Sequence, residues 1–276
     1  MEPLSSTEIL RLYQNRNRGL LPLEPNIVLF EEIDSTNTEC KRRIQNVPFG
    51  EDIFSHIPGG TVFLSDFQTA GKGRMGKSFL SPKGTGLYFS ILTKPMNNNK
   101  NPLILTCHGA VAVKRAVKEV FDISLSIKWV NDLFYKGKKV VGILAEGQLT
   151  SSSTPAYCIM GIGINFFLPE SGFPKDLSAI AGSLFGYYEE GKEELKRNKF
   201  MASVLFHYFS LLEKETVEDE YRQENILLKK DVKFTVNTQE YLGTVEEILE
   251  NGSLSVLCRN GQIRIVQSGE VQEKFL

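Results

Sequence analysis

A glycine-rich segment with three cationic side chains is the first part of this sequence whose residue types could bind and activate an anionic ligand. The segment is Gly71-Lys72-Gly73-Arg74-Met75-Gly76-Lys77-Ser78, and it follows an apolar stretch with the composition of a strand. Glycine lets a backbone approach a ligand closely, while lysine and arginine donate charged hydrogen bonds to carboxylates and phosphates. The segment therefore favours a site for an anionic substrate, and a solvated surface loop is the alternative.

The same residues also match the spacing of two nucleotide-binding motifs, the GxxxxGKS phosphate loop and the GxGxxG dinucleotide fingerprint. Both motifs require a helix directly after the glycines, because the phosphate binds at the helix N-terminus. The residues that follow include Pro82, Gly84 and Gly86, which disfavour a helix. We therefore expect neither of these two nucleotide-binding folds.

Three further segments place polar residues or glycines at the ends of apolar stretches. Lys128-Trp129-Val130-Asn131-Asp132 ends the first, Lys139 opens the second, which continues to Glu146, and Gly161-Ile162-Gly163-Ile164-Asn165 ends the third. Glycines within a strand weaken it unless a ligand or another backbone approaches closely. Taken singly, each segment also has an ordinary structural explanation, such as a turn at Asn131-Asp132 or a solvent-facing Lys139.

The composition favours a globular protein of about two domains. Among 276 residues, Lys plus Arg number 32 and Asp plus Glu 33, so the formal net charge is −1, and 41% of the residues are apolar. This balance argues against a protein whose main partner is a nucleic acid or an anionic membrane. No apolar run approaches the ~18 residues that span a bilayer, and residues 1–30 lack the pattern of a signal peptide. We therefore expect a cytoplasmic protein.

The cysteines and histidines lack the spacing of a metal site. Four cysteines and three histidines are scattered along the chain, without a Cys-x-x-Cys or a His-x-x-x-His pair. Scattered cysteines in a cytosolic protein are usually reduced core residues. The alternative is a lone catalytic thiol, but Cys158 begins an apolar stretch typical of a buried strand, so we expect it in the core.

The pattern of apolar residues predicts alternating strands and helices over about 220 residues. A short helix follows Ser5-Ser6-Thr7, and Thr36-x-x-Glu39 has the pattern of a capping box that starts a helix ending near Gln45. Strands are expected at 27–33, 61–67, 87–93, 126–130, 140–146 and 157–166, and further helices at 101–121, 176–185 and 193–214.

From Asp231 onward the pattern changes to short strands alone. Asn251-Gly252 and Asn260-Gly261 are strong hairpin signals, because both residues of such a turn need positive φ. A stretch of about 50 residues with two hairpins predicts a small β-barrel.

Together and in this order, these segments resemble the catalytic and C-terminal domains of the biotin protein ligase family. The chain is similar to the monofunctional type, which lacks the N-terminal DNA-binding domain of some relatives, because only 26 residues precede Ile27. The resemblance extends from Asp34 to Val271. It rests on Asp34-Ser35-Thr36-Asn37, Gln68-x-x-Gly71-Lys72-Gly73-Arg74-x-Gly76, Lys128-Trp129-x-Asn131-Asp132, Lys139-x-x-Gly142-Ile143-Leu144-x-Glu146, Gly161-x-Gly163-x-Asn165 and Ser268-Gly269-Glu270-Val271.

The resemblance implies an α/β (α+β) catalytic domain at residues 1–225, with a mixed sheet backed by helices. It implies a small SH3-like β-barrel at 226–276, whose segment Ser268-Gly269-Glu270 covers the active site. The implied reaction has two steps. The carboxylate of biotin attacks the α-phosphate of ATP to give biotinoyl-AMP and pyrophosphate, and a lysine of a biotin carboxyl carrier protein or domain then displaces AMP. Mg²⁺ is the implied metal ion, and we expect a monomer or weak homodimer with no nucleic-acid or membrane partner.

By this resemblance the site residues form three groups. The implied catalytic residues are Arg74, Lys139, Lys128 and Asp132, and the carboxylate of Asp132 is also the implied Mg²⁺ ligand. The implied biotin-binding residues are Ser35, Thr36, Asn37, Gln68, Lys72, Gly73, Arg74, Lys139, Gly142, Gly161 and Gly163. The implied ATP-binding residues are Arg74, Phe79, Lys128, Asn131 and Asn165, with Phe79 stacking on adenine and Asn165 contacting its edge.

Two positions depart from the family pattern, and one related activity is an alternative. Lys72 stands where the family more often has arginine. The lysine keeps the positive charge and loses the bidentate contact of a guanidinium. Val130 replaces a frequent proline. The alternative is a lipoate or octanoate attachment enzyme of the same fold. The attachment enzymes that transfer the acyl group from a carrier use a cysteine nucleophile. Cys158 does not fit this role, because we expect it in a buried strand. The glycine loop also favours biotin as the substrate.

Overall fold

The computed structural model describes residues 2–94, 101–149, 155–189, 196–236 and 239–273, which form two sheets and seven helices. The helices are α1 (Ser6–Asn17), α2 (Thr36–Gln45), α3 (Ile53–His56), α4 (Pro102–Phe121), α5 (Lys175–Ser178), α6 (Arg197–Leu211) and α7 (Asp219–Gln223). The strands are β1 (Asn26–Phe30), β2 (Thr61–Ser65), β3 (Gly86–Thr93), β4 (Ser126–Lys128), β5 (Asp132–Tyr135), β6 (Lys138–Leu149), β7 (Pro155–Asn165), β8 (Asp231–Val236), β9 (Gln239–Ile248), β10 (Leu254–Cys258), β11 (Ile263–Val266) and β12 (Val271–Glu273). Within these ranges no helix combines the length and the apolar character needed to cross a membrane.

The larger sheet has seven strands in the order β1-β2-β3-β7-β6-β5-β4. Strands β1 and β2 run parallel, and the other neighbouring pairs are antiparallel, so the sheet is mixed as predicted. In its centre β3 pairs with β7 from Gly86 opposite Asn165 to Thr93 opposite Cys158. Every residue of β3 is buried, which explains why its sequence is a nearly continuous apolar run.

Helices α4 and α6 pack against each other, and α4 also contacts strands β6 and β7 of this sheet. The start of α4 is typical, because Asn101 accepts a hydrogen bond from the N–H of Leu103 and Pro102 occupies the first turn. More than half of the residues of α4 are buried, as the predicted helix at 101–121 requires. Each fully buried large aliphatic side chain contributes roughly 1.5–3 kcal/mol to stability, so this layer supports the sheet on which the polar segments lie.

The smaller sheet is antiparallel, with the order β11-β10-β9-β8-β12. Along β8, buried and exposed residues alternate, as in a sheet with one face on a core. Both predicted hairpins are present, but only their glycines have positive φ, +83° at Gly252 and +81° at Gly261, so the prediction of positive φ at Asn251 and Asn260 was wrong. The sequence therefore predicted the strand-only character of this region correctly.

Two predictions near the polar segments were wrong in detail. The residue that caps α2 is Ser35, whose hydroxyl accepts a hydrogen bond from the N–H of Thr38, so the N-cap lies one residue before Thr36 and the predicted capping box with Glu39 does not form. The turn lies at 129–131 rather than at Asn131-Asp132, because Asp132 already begins an unpredicted strand, β5, and pairs with Lys128 of β4. When the first residues of a short strand are polar, they show no alternation of apolar and polar residues that would distinguish them from a turn.

The predicted helix at 176–185 is also wrong beyond its first residues. Only α5 is helical, and the chain then runs extended beside β6, with Ala181 bridged to Lys139. The N–H of Lys139 donates to the carbonyl of Ile180 at 2.8 Å. Strand pairing therefore overrides the helical propensity of this stretch. The helix predicted at 193–214 is confirmed as α6 from Arg197 to Leu211, and 193–195 lie outside the described residues.

Candidate active site

A cavity of about 310 Å³ opens beside the larger sheet, and it gathers the polar segments from distant parts of the chain. All the site residues predicted from the sequence line it: Ser35, Thr36, Asn37, Gln68, Lys72, Gly73, Arg74, Phe79, Lys128, Asn131, Asp132, Lys139, Gly142, Gly161, Gly163 and Asn165. They come from the start of α2, the glycine loop after β2, the β4–β5 turn, and strands β6 and β7.

One wall of the cavity is a buried polar network at the start of α2. The backbone N–H of Thr36 donates to Oε1 of Gln68 at 2.9 Å, and its hydroxyl lies 3.2 Å from the same oxygen. The hydroxyl of Ser90, on β3, donates to Oγ1 of Thr36 or to Oδ1 of Asn37. Ser35, Thr36 and Asn37 are each less than 5% exposed. Buried hydrogen-bonded groups of this kind hold their donors and acceptors in fixed directions, which suits recognition of a polar ring.

Asn37 is fixed by a charged pair on its other side. Its Nδ2 donates to Oε2 of Glu146 at 2.8 Å, and Oε1 of Glu146 pairs with Nζ of Lys41 at 2.6 Å. Burial alone would raise the pKa of the Glu146 carboxyl, but the hydrogen bonds from Lys41 and Asn37 outweigh it and hold the pKa below its ordinary value. Glu146 therefore remains an anion that orients the Asn37 amide.

Residue 161 must be a glycine because the side chain of Asn37 occupies the space that a Cβ would take. Close approach of a ligand is not the only reason for the glycine. A Cβ built on Gly161 would lie 2.1 Å from Oδ1 of Asn37, far inside van der Waals contact. Gly161 pairs with Ser90 on one side and with Leu144 on the other, so the backbone cannot move away easily. The glycine thus leaves room for the Asn37 side chain to lie flat against β7.

The glycine loop is a tight, hairpin-like structure without a following helix, as predicted. Lys72 and Ser78 form an antiparallel bridge, and the N–H of Gly73 donates to the carbonyl of Lys77 at 2.7 Å. Between them Arg74–Gly76 form a single 3₁₀ turn, in which Met75 has a φ of +55°. The loop therefore presents its cationic side chains on a short, closed stem.

Arg74 and Lys139 reach the cavity with different partners. Nη1 of Arg74 donates to Oδ1 of Asn131 at 3.0 Å, whereas Nζ of Lys139 pairs with Oδ1 of Asp132 at 2.6 Å. Asn131 is itself held by β6, because its Nδ2 donates to the carbonyl of Ile143 at 2.8 Å. Arg74 thus contacts a neutral partner, while the charge of Lys139 is shared with a carboxylate.

Phe79 forms the floor of the cavity between the two glycine-bearing strands. A Cβ on Gly163 would lie 2.5 Å from the Phe79 ring, and a Cβ on Gly142 would lie 2.9 Å from it. Gly142 and Gly163 pair directly in the β6–β7 ladder. The ring packs edge-on against Tyr88, with centroids 6.3 Å apart. Both glycines therefore leave room for an aromatic ring that faces the cavity.

Sequence reasoning missed the apolar wall formed by the segment 173–181. Phe173, Leu177, Ile180 and Ala181 line the cavity, and Ile180 is 55% exposed. The only available signal was the spacing of the apolar residues by three and four, which favours a helix. The side chain of Asn165 donates to the carbonyl of Gly182 at 3.0 Å, so part of its amide anchors this segment.

The smaller sheet closes the far side of the cavity. Gly269, Glu270, Val271 and Gln272 contribute to the lining, in agreement with the expected covering role of this region. Oε1 of Glu270 pairs with Nζ of Lys77 at 2.9 Å, which ties the glycine loop to the start of β12.

The cysteines lie away from the cavity. All four are buried and unpaired, and none lines it. Burial raises the pKa of the Cys158 thiol to about 12, so this thiol is protonated near neutral pH. No cluster of three or more acidic, histidine or cysteine side chains with metal-binding geometry occurs in the parts of the chain that the structure describes.

Comparison with known proteins gives one family. Residues 29–165 match the biotin/lipoate A/B protein ligase family. Over 130 residues the chain is 39% identical to the bifunctional ligase/repressor BirA of Bacillus subtilis (strain 168), which covers 47% of this chain and 40% of that protein. It is 36% identical over 162 residues to biotin–protein ligase 1, chloroplastic, of Arabidopsis thaliana, which covers 56% of this chain and 41% of that protein. The chain thus spans less than half the length of these two curated relatives.

The fold has a counterpart among solved structures. The biotin protein ligase from Aquifex aeolicus, in complex with biotin and ATP, is similar with a TM-score of 0.68 and 27% sequence identity. The similarity covers 90% of this chain and 98% of that chain, so it includes both sheets.

Proposed function

Because the chain belongs to the biotin/lipoate A/B protein ligase family, we propose that it is a biotin–[biotin carboxyl-carrier protein] ligase. Its first step joins biotin and ATP as biotinoyl-5′-AMP, with pyrophosphate as the leaving group. In its second step a lysine amine of a biotin carboxyl carrier protein or domain attacks the acyl carbon, and AMP leaves.

The charge of the cavity is the observation that carries this proposal. Its described lining holds five cationic side chains and two carboxylates, on a chain whose net charge is −1. The cations are Lys72, Arg74, Lys77, Lys128 and Lys139. Two anionic substrates, a carboxylate and a triphosphate, need such an excess, because unit charges about 4 Å apart repel by about 4 kcal/mol at an effective dielectric constant near 20.

Adenylation requires no nucleophile from the protein, so catalysis depends on orientation and charge. We assign Arg74 to the junction between the biotin carboxylate and the α-phosphate, with Lys72 and Lys139 beside it. Fixed cations directed at the charge that develops in the transition state supply the largest catalytic contribution. Lys128 and Asn131 are assigned to the nucleotide phosphates, since they lie on the same β4–β5 turn.

We assign biotin and the adenine of ATP to different parts of the cavity lining. The network of Ser35, Thr36, Asn37 and Gln68 is assigned to the ureido ring and tail of biotin, with Gly73, Gly142, Gly161 and Gly163 nearby. Its buried, hydrogen-bonded geometry supports this assignment. Phe79 is assigned to stacking on adenine and Asn165 to its edge; the ring's place on the cavity floor supports the first role.

Asp132 is the residue that would hold Mg²⁺. Its carboxylate, 25% exposed and paired with Lys139, is a single oxygen-donor group on the cavity. Such a site fits Mg²⁺, which usually binds one or two carboxylates together with substrate phosphates and waters, and the ion would offset phosphate charge. In this position the ion pair with Lys139 also fixes the orientation of the Asp132 carboxylate at the cavity.

The remaining features of the proposal concern the whole molecule. We assign residues 1–225 to a catalytic domain and 226–276 to an SH3-like domain, which the separate antiparallel sheet supports. The protein is proposed to act in the cytoplasm, as a monomer or weak homodimer, without a nucleic-acid partner. A cysteine-dependent lipoyl or octanoyl transfer is not supported, because Cys158 is buried and protonated.

Pyrophosphate–ATP exchange tests the proposal directly. Purified protein with Mg²⁺ and labelled pyrophosphate should form labelled ATP when biotin is added, and exchange with lipoate should be at least tenfold slower. Asn37→Ala provides the specificity control, since it should weaken exchange with biotin through the biotin wall. Faster exchange with lipoate than with biotin would refute the substrate assignment.

A further inference from the structure

The turn that carries Lys128, Asn131 and Asp132 receives little support from the larger sheet itself. Strand β4 has only three residues and β5 only four, and β4 is the last strand of the sheet. Asn131 is tied to β6 through Ile143, but Trp129 and Val130 lie between the strands without ladder partners. Other contacts must therefore fix this turn.

Those contacts come from the chain after residue 218. The hydroxyl of Tyr221 donates to the carbonyl of Val130 at 2.7 Å, and the N–H of Trp129 donates to Oδ1 of Asn225 at 3.2 Å. The indole Nε1 of Trp129 donates to the carbonyl of Gly252, in the β9–β10 turn, at 2.8 Å. Trp129 is 4% exposed and Tyr221 is fully buried, so these hydrogen bonds form away from water.

The β9–β10 turn is itself wedged in place. Gly252 has a φ of +83°, and a Cβ there would lie 3.0 Å from Leu103 and 3.2 Å from Cys107, both on α4. Nδ2 of Asn101 donates to the carbonyl of Asn251 at 3.0 Å. The carbonyl that accepts the Trp129 indole is therefore fixed between α4 and the β4–β5 turn.

We propose that Trp129 is a positioning residue, through which the β9–β10 turn of the smaller sheet holds Lys128 and Asp132 in the orientation required for adenylation. The inference rests on the proposed function, since it concerns the rate of biotinoyl-AMP formation. It gives the smaller sheet a second role besides covering the cavity. The biotin wall lies on other elements, so this contact affects the nucleotide side of the site.

Three variants test the proposal. Trp129→Phe keeps an aromatic ring and removes the indole N–H, and Gly252→Ala keeps the indole and displaces the carbonyl. Val256→Ala, in the buried core of β10, is the control for general destabilisation of the smaller sheet. Single-turnover biotinoyl-AMP formation at saturating biotin and ATP is measured below the melting temperature of every variant.

We expect Trp129→Phe and Gly252→Ala each to slow this step about 5- to 20-fold, with unchanged Kd for biotin, and the double variant to be no slower than the slower single variant. Val256→Ala should lower Tm and leave the rate unchanged. Trp129→Phe within twofold of wild type, or Val256→Ala as slow as Trp129→Phe, would overturn the proposal.

Trp129 is the only tryptophan of the chain, so its fluorescence provides a readout independent of activity. Its emission should shift to shorter wavelength in Gly252→Ala, because the buried indole loses the hydrogen bond that stabilises its polar excited state. Wild-type protein that makes no biotinoyl-AMP would refute the proposed function. An unshifted emission in Gly252→Ala would overturn the present inference whether or not that function holds.

Discussion

Replacement of Arg74 by alanine tests the assignment of the cavity most directly. Nη1 of Arg74 donates to the neutral Asn131 at 3.0 Å, and among the described residues no carboxylate forms an ion pair with it. Lys139, in contrast, pairs with Asp132 at 2.6 Å. The charge of Arg74 is thus available to the substrates, and we expect its loss to slow adenylation more than the loss of Lys139 does.

The expected magnitude follows from the charge that is removed. Loss of one fixed donor aimed at developing charge costs about 2.7–4 kcal/mol, or a factor of about 10²–10³ in rate. Lys72 and Lys128 remain in the cavity and offset part of the loss, so we expect the lower half of that range. Asn131 keeps its hydrogen bond to Ile143, so its position should not change. Because Arg74 lies on a surface loop, the free energy of unfolding should change by at most about 0.5 kcal/mol.

The assay is single-turnover formation of biotinoyl-AMP, with the denaturation midpoint measured in parallel. Lys83→Ala is the matched control, since Lys83 is exposed, follows the same loop and does not line the cavity. Arg74→Lys should recover part of the rate, because it restores charge without the planar donor pair. The effects of Arg74→Ala and Lys139→Met should not add, because both side chains serve one transition state. A rate for Arg74→Ala within threefold of wild type would refute our placement of the reacting atoms.

Three further outcomes follow from the geometry. Gly161→Ala should weaken biotin binding at least tenfold in calorimetry, because its Cβ would lie 2.1 Å from Oδ1 of Asn37; unchanged affinity would contradict the role of Asn37. Although burial alone would raise it, the hydrogen bond from Arg16 helps hold the pKa of Glu119 at about 2, below its unfolded value near 4.5. This carboxyl therefore stabilises the fold above about pH 5 and loses that effect as pH falls toward 2, so Glu119→Gln should lower Tm at pH 7 and not at pH 2. Cys158→Ala should lower Tm and keep the rate of biotinoyl transfer, since the thiol is buried; loss of transfer with intact adenylation would indicate a cysteine nucleophile instead.

The sequence predicted which residues meet at the cavity better than it predicted the elements that carry them. Motif order located the lining because the polar residues fall at strand ends and loops, where side chains can converge on one ligand. The β4–β5 turn was less accessible, because a strand as short as Asp132–Tyr135 has too few residues for a period of two to appear.

The segment 173–181 escaped prediction for a different reason. Its local composition allows a helix, and only the pairing of Lys139 with Ala181 makes the chain extended beside β6. Contacts between residues this far apart depend on the folded sheet, which single-sequence patterns do not encode. Likewise, the contact of Trp129 with Gly252 joins two segments that look independent in the sequence.

The close fit of Gly161 against Asn37 has a consequence for how this protein can change over time. A side chain at 161 and the full amide at 37 cannot occupy the same space, so a substitution at 161 becomes acceptable only after residue 37 has shortened. A shorter residue at 37 would in turn leave Glu146 and Ser90 without their shared partner. Alteration of substrate preference at this wall is therefore a matter of several coordinated replacements, and variant libraries that randomise these positions one at a time will recover mostly the existing residues.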